Sequence, residues 1–190
     1  MIYNVALIGY GYWGPKLARN IHNSSIFNLK FIVDSSQKNL NKAKSEFPLS
    51  ILLKSYHKIK KDSIDLVVIS TPTKTHFLMA NYFLKFSNVL IEKPLSLNLK
   101  DAVALEKMAK INKKMLFVDY PFIFSGSINY IKKVIQSKKY GKLNEIETFR
   151  EQAPIRTDAD VVWDLGVHDI SIFKHLLNSN PKKITSLKYN

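Results

Sequence analysis

A chain of 190 residues with a formal net charge of +14 has room for one large domain or one and a fraction, at roughly 150 residues per domain. Hydrophobic residues at 46% and charged residues at 23% exclude a disordered tail, a collagenous repeat and a disulfide scaffold, and the absence of cysteine excludes thiolate zinc sites and cysteine nucleophiles. The positive excess is almost all lysine, 26 Lys to 3 Arg beside 20 Ile and 15 Asn, as AT-rich codons produce; it reads as a solvated surface and not as specific nucleic-acid readout, which favours arginine.

Residues 2–8 read as an apolar strand ending at glycine and 12–22 as a helix. A second strand at 29–34 leads to a polar helix at 37–46 that Pro48 closes, and a weaker strand follows at 50–53. The near-continuous apolar run at 65–70 is expected of a strand buried on both faces of a parallel sheet. A helix at 73–85, a strand at 88–92, a helix to about 112 opened by Asn98 and Asp101 as a capping box, and a strand at 115–119 complete the alternation. Six strands alternating with helices predict an α/β fold, a doubly wound parallel sheet of Rossmann type over 1–120. From 121 to 190 the rhythm changes: a helix at 125–137, a strand at 143–151, a helix at 164–177 and a last strand at 183–188 predict a partial α+β second domain. No apolar stretch approaches a membrane span of roughly 18 residues, and Met1 opens no signal-peptide pattern, so a soluble cytoplasmic protein without a membrane partner is expected.

The sharpest motif is Gly9-Tyr10-Gly11-Tyr12-Trp13-Gly14, placed after the first strand and opening a helix. In this G-x-G-x-x-G arrangement Gly9 serves a tight turn, Gly11 lets the backbone approach a pyrophosphate, and Gly14 lets helix and strand pack closely. Pro15 suits the first helical turn. Asp34 ends the second strand, where a carboxylate accepts hydrogen bonds from the adenosine ribose and repels a 2′-phosphate. NAD is therefore the expected cofactor ahead of NADP, with Lys38 softening the preference; the bland alternative makes Asp34 a helix cap.

Ser70, Thr71, Pro72 and Thr73 stand at the carboxyl end of the fourth strand, where they would flank the cofactor or simply cap a helix; His76, a turn on, is a pocket-wall or packing residue. Glu92, Lys93 and Pro94 end the fifth strand at the same edge, and a partly desolvated lysine there can hold a substrate hydroxyl and ease its deprotonation. Asp164 and His168 stand at i and i+4 on one helix face, with Asp169 on another. An imidazole oriented by a carboxylate suits proton transfer; the alternative is Asp164 as an N-cap and His168 as a buried core histidine. No metal-binding pattern is present in the sequence.

Taken in order, GYGYWG at 9–14, STPTKTH at 70–76, EKP at 92–94 and WDLGVHD at 163–169 resemble the glucose-fructose oxidoreductase and inositol dehydrogenase family, Gfo/Idh/MocA. The resemblance implies NAD(P)-dependent oxidation or reduction of a sugar, cyclitol or nucleotide-sugar hydroxyl. It implies that Lys93, Asp164 and His168 are the catalytic set, His168 taking the proton as hydride passes to nicotinamide, and that the segments around Gly9–Gly14, Asp34, Ser70–Thr73, His76 and Glu92–Lys93 face the cofactor. Family members continue into a large, mostly antiparallel sheet that completes the substrate pocket and a homo-oligomer interface, so the second domain is expected to be truncated at Asn190, with unpaired strand edges. A non-catalytic NAD-binding protein is the competing expectation. Arg156 and Asp158 are further candidates for substrate contact without an assigned role.

Overall fold

The computed structural model describes residues 1–150 and 160–187. The chain divides into two compact units, Met1–Asp119 and Tyr120–Asn190. In the first, β1 (Tyr3–Ile8), β2 (Phe27–Val33), β3 (Ile51–Leu53), β4 (Leu66–Ile69), β5 (Asn88–Glu92) and β6 (Leu116–Asp119) form one sheet in the order β3-β2-β1-β4-β5-β6. Every pairing is parallel. The chain winds outward from β1 to β3 and then restarts beside β1 at β4. That reversal opens a crevice beyond the carboxyl ends of β1 and β4, the place where open α/β sheets take ligands.

Alternation along β1 explains why both faces need cover. Val5 and Leu7 join a cluster with Ala18 and Ile21 of α1 (Gly14–His22) and Ala43 of α2 (Gln37–Glu46). Ala6 and Ile8 join the opposite cluster with Ala80 and Phe83 of α3 (His76–Phe83) and Leu105 and Ala109 of α4 (Leu99–Ile111). Each fully buried Leu or Ile contributes about 1.5–3 kcal/mol, so the two-sided burial of the strands fixes the register that delivers their carboxyl ends to one edge. A bulge in β2 moves the pairing from Val5–Leu29 to Ala6–Phe31; the Lys30 ammonium donates to the Ser63 carbonyl at 3.2 Å. Half of the expected capping box forms: the Asn98 side chain accepts the Asp101 N–H at 2.8 Å and opens α4, while the return bond runs from the Asn98 amide to the Asp101 carboxylate at 2.8 Å.

Two helices start differently from their sequence reading. Residues 12 and 13 precede α1, and residues 73–75 form a 3-10 turn ahead of α3. In the second unit α5 (Gly126–Ser137) is capped by the Ser125 hydroxyl, which accepts the Ile128 N–H at 3.1 Å, and α6 (Val167–Leu177) follows a π-helical turn at Val162–Gly166. His175 Nε2 of α6 lies 3.1 Å from Asn129 Oδ1 of α5. The strands expected at 143–151 and 183–188 are not formed over 143–150 or 183–187. A strand exists only where a neighbouring backbone completes its ladder, and among the described residues no segment pairs with either. Residues 151 and 188, together with Arg156 and Asp158, lie outside the described residues. No helix of the described residues is long and apolar enough to cross a membrane.

Candidate active site

The glycine loop leaves β1 at the crevice, and its three glycines differ in what constrains them. Gly9 has φ +98°, and a Cβ there would lie 2.6 Å from the Ser70 carbonyl oxygen. At Gly14 a Cβ would lie 2.4 Å from the Gly9 carbonyl oxygen, so the close approach is to the loop's own turn and not to a strand. Gly11 has nothing within 4 Å of a built Cβ and no positive φ. Gly9 and Gly14 are thus demanded by the fold, whereas the space at Gly11 is open, as a group approaching its backbone needs. The first turn of α1 carries no acidic residue to occupy its N–H groups.

Among the loop's other residues the side chains part company. Tyr10 turns inward: it is 1% exposed, packs against Phe47, and its hydroxyl donates to Glu46 at 2.5 Å. Burial and the Glu46 carboxylate push its phenol pKa upward. Its side chain is therefore a core element, and any part residue 10 plays toward the cofactor falls to its backbone. Tyr12 and Trp13 are exposed, their rings edge-on at 5.6 Å, and the Lys16 ammonium stands 4.1 and 4.0 Å from their centroids.

Asp34 follows β2 and braces the glycine loop. One carboxylate oxygen accepts the Tyr10 N–H at 2.7 Å and the Asn39 amide at 3.1 Å; the other accepts the Ser36 N–H at 2.8 Å. The cap of α2 is Ser36, whose hydroxyl accepts the Asn39 N–H, so Asp34 is not the helix cap. A carboxylate offers about four lone-pair sites, which leaves acceptor capacity on the Ser36-facing oxygen.

Past β4, the Ser70 hydroxyl donates to the Gly9 carbonyl at 2.9 Å and clips the two crevice-lining loops together. The hydroxyls of Thr71 and Thr75 are 2.7 Å apart, and Thr75 also donates to the Pro72 carbonyl, which shapes the 3-10 turn at Thr73–Thr75. His76 is 1% exposed, with Nε2 2.9 Å from the Thr71 carbonyl and Nδ1 2.9 Å from the Pro94 carbonyl. Burial pushes its pKa below the usual imidazole range, opposed by the hydrogen bonds to the main chain. Both ring nitrogens face carbonyls and the ring is buried, which fits the packing alternative for His76.

At the end of β5, Glu92 is register partner to Asp119 of β6. Burial first, then the Asp119 charge, raises the Glu92 pKa to about 7; the Lys93 N–H and ammonium act in the other direction. Asp119 is raised by burial as well. Lys93 follows at the same edge, joined to Pro94 by a cis peptide bond.

In the second unit the Asp160 carboxylate accepts the Val162 N–H at 2.8 Å, and its carbonyl accepts the Asp164 N–H at 2.9 Å. Asp160 therefore caps this helical stretch. Asp164 lies inside the π turn, buried, and His168 lies buried in the first turn of α6. Single π turns widen a helix locally and recur at functional sites. The His168 ring meets Phe122 edge-on, centroids 4.9 Å apart, and the Arg150 guanidinium stands 4.9 Å from the Phe122 centroid. Arg150 Nε donates to both oxygens of Asp169 at 2.9 and 2.8 Å.

Residues 3–120 match the oxidoreductase family with an NAD-binding Rossmann fold, GFO_IDH_MocA. The chain belongs to this family. Among curated Gfo/Idh/MocA relatives it is 24% identical to myo-inositol 2-dehydrogenase of Thermotoga maritima over 188 residues, 95% of this chain and 56% of that protein. It is 29% identical to UDP-N-acetylglucosamine 3-dehydrogenase of Acidithiobacillus ferrooxidans over 126 residues, 65% of this chain and 39% of that one. The chain thus spans about half the length of the curated relatives it matches. An oxidoreductase from Agrobacterium radiobacter, solved with NAD+, L-tartaric acid and magnesium, shares the fold with a TM-score of 0.81 at 20% identity, over 93% of this chain and 55% of that chain.

Within the Gfo/Idh/MocA frame, sequence reading missed Asp160, Phe122 and Arg150. Asp160 has a signal, an acid two residues before an N–H that needs an acceptor. Phe122 and Arg150 have none, since each reaches α6 across a long span of chain.

Proposed function

We propose that this chain binds NAD at the crevice beyond β1 and β4 and serves a dehydrogenase that oxidises or reduces a hydroxyl-bearing carbon of a sugar, cyclitol or nucleotide sugar. The observation that carries the reading is the contrast among the loop's three glycines: the fold's own atoms fill the space at Gly9 and Gly14, whereas Gly11 faces open space. A pyrophosphate reaching that backbone meets the N–H groups that open α1. Asp34, anchored by the loop it braces, presents its remaining acceptor capacity to ribose hydroxyls, and its charge disfavours a 2′-phosphate.

When bound, NAD supplies a hydride acceptor. Lys93 holds the substrate oxygen and favours its anionic form, His168 takes the hydroxyl proton, and Asp164 orients the imidazole. Phe122 confines the His168 ring from one side. The substrate class rests on the relatives, whose names give them myo-inositol and UDP-N-acetylglucosamine.

The test is NAD reduction, followed by absorbance, across polyols and nucleotide sugars. Lys93→Ala and His168→Ala are each expected to lower kcat/KM by about 100-fold or more, as loss of proton-transfer catalysis does. NADH affinity in the His168 variant should stay within about threefold, because a proton acceptor adds little to ground-state cofactor binding. Unchanged turnover in either variant overturns that residue's role. NADH binding without turnover of any hydroxyl substrate overturns the dehydrogenase reading and leaves a cofactor-binding protein.

A further inference from the structure

Two loops at the carboxyl edge of the sheet have separate tasks in the reading above. The loop after β4, Ser70–Thr75, borders the glycine turn through the Ser70–Gly9 hydrogen bond. The loop after β5 carries Lys93. Their only route to each other along the chain is the whole of α3 and β5, yet one buried side chain spans them directly: His76 places Nε2 2.9 Å from the Thr71 carbonyl and Nδ1 2.9 Å from the Pro94 carbonyl.

We propose that His76 is a positioning residue that couples the cofactor-side loop to the Lys93 loop and so sets where Lys93 stands at the sheet edge. The inference deepens the dehydrogenase reading and rests on it for its catalytic meaning. The physical basis is local. A histidine whose sole purpose was to fill the core beneath α3 would be replaceable by any ring of its size, whereas this one is matched at both nitrogens by main-chain acceptors from different loops. Neither carbonyl is part of the sheet ladder; the neutral ring donates to one of them, which one depending on the tautomer, and the protonated ring to both, so without the imidazole the carbonyl it holds must find another donor. The chain then loses a side-chain link between the segment that follows Ile69 and the segment that follows Glu92. Lys93 sits one residue before Pro94, so freedom at the Pro94 carbonyl becomes freedom at the lysine.

The experiment compares wild type with His76→Phe, which keeps the ring volume, and His76→Gln, which keeps one donor. Amide hydrogen exchange by mass spectrometry is expected to quicken about tenfold or more over 71–75 and 93–98 together in His76→Phe, with α3 and β5 protected as before, and over one of the two loops in His76→Gln. In turnover, His76→Phe should lose kcat about tenfold or more while NADH affinity changes less than about threefold, a split that loss of core packing alone would not produce. Exchange that rises through α3, or that stays unchanged in both loops, overturns the coupling; an equal loss of kcat and NADH affinity overturns the role in placing Lys93. The exchange comparison needs neither cofactor nor turnover, so a wild type that binds no NADH refutes the functional reading while the loop coupling is still decided on its own.

Discussion

Glu92 gives a prediction whose sign and size both follow from its surroundings. Its carboxyl ends β5 beside Asp119 at the same level of β6, partly removed from water, and titrates near pH 7 instead of the usual 4.5. A carboxyl with a raised folded pKa binds more protons in the native state than in the unfolded state, so its contribution is fully present below about pH 4.5 and is lost as pH rises through about 7. At about 1.4 kcal/mol per unit, the 2.5-unit gap sets an upper limit of about 3.5 kcal/mol; residual solvent contact reduces this to roughly 1–3 kcal/mol. Glu92→Gln mimics the protonated form at nearly constant volume. Urea unfolding of both proteins at half-unit steps from pH 4 to pH 8.5 is expected to show equal stability at the acid end. The glutamine variant should pull ahead between about pH 4.5 and 7, and the gap should then level off. A constant gap across the range, or a variant less stable than wild type at pH 8, refutes the argument that burial beside Asp119 raises this carboxyl.

Gly14→Ala should destabilise the first unit by about 1–3 kcal/mol, because its Cβ would press on the Gly9 carbonyl, as thermal unfolding will register. Gly11→Ala should leave the melting temperature within about two degrees of wild type, since nothing lies within 4 Å, and weaken NADH about tenfold or more by calorimetry. Asp34→Ser should narrow or invert the NADH-over-NADPH preference in the same titration, at some cost in loop order because the Tyr10 N–H loses its acceptor. Asp169→Asn removes the charge that holds Arg150 and is expected to lower the unfolding free energy by about 1–3 kcal/mol, measured by urea titration.

The sheet was legible because its information is local and redundant. The apolar run at β4 reads as a two-sided strand wherever it lies, and the Asn98–Asp101 pair starts α4 from four consecutive residues. The glycine spacing marked the turn between β1 and α1, but not which glycine answers to the fold and which to open space. At Gly9 that depends on Ser70 and Thr71, some sixty residues away, and at Gly14 on the Gly9 carbonyl of the folded loop. The inward turn of the Tyr10 side chain was illegible for a like reason: the motif says nothing of Glu46 and Phe47, which receive it. Pocket wall and packing stayed open for His76 because its two neighbours at hydrogen-bond distance are main-chain carbonyls, which carry no residue signature. The strands expected after residue 140 failed on physics of another kind. Alternating apolar residues state a preference for extended backbone, but a strand needs a partner, and Phe149 and Ile184 stay exposed without one among the described residues.

The most direct test of the NAD site is the thermal unfolding midpoint of wild type and Gly11→Val, each alone, with NADH and with NADPH. A ligand bound only by the native state at about 100 times its Kd adds about 2.7 kcal/mol. The account predicts a rise in wild type that is larger with NADH than with NADPH, and none in Gly11→Val, whose midpoint without ligand matches wild type. An equal NADH-induced rise in Gly11→Val, or no rise in wild type with either cofactor, would contradict it.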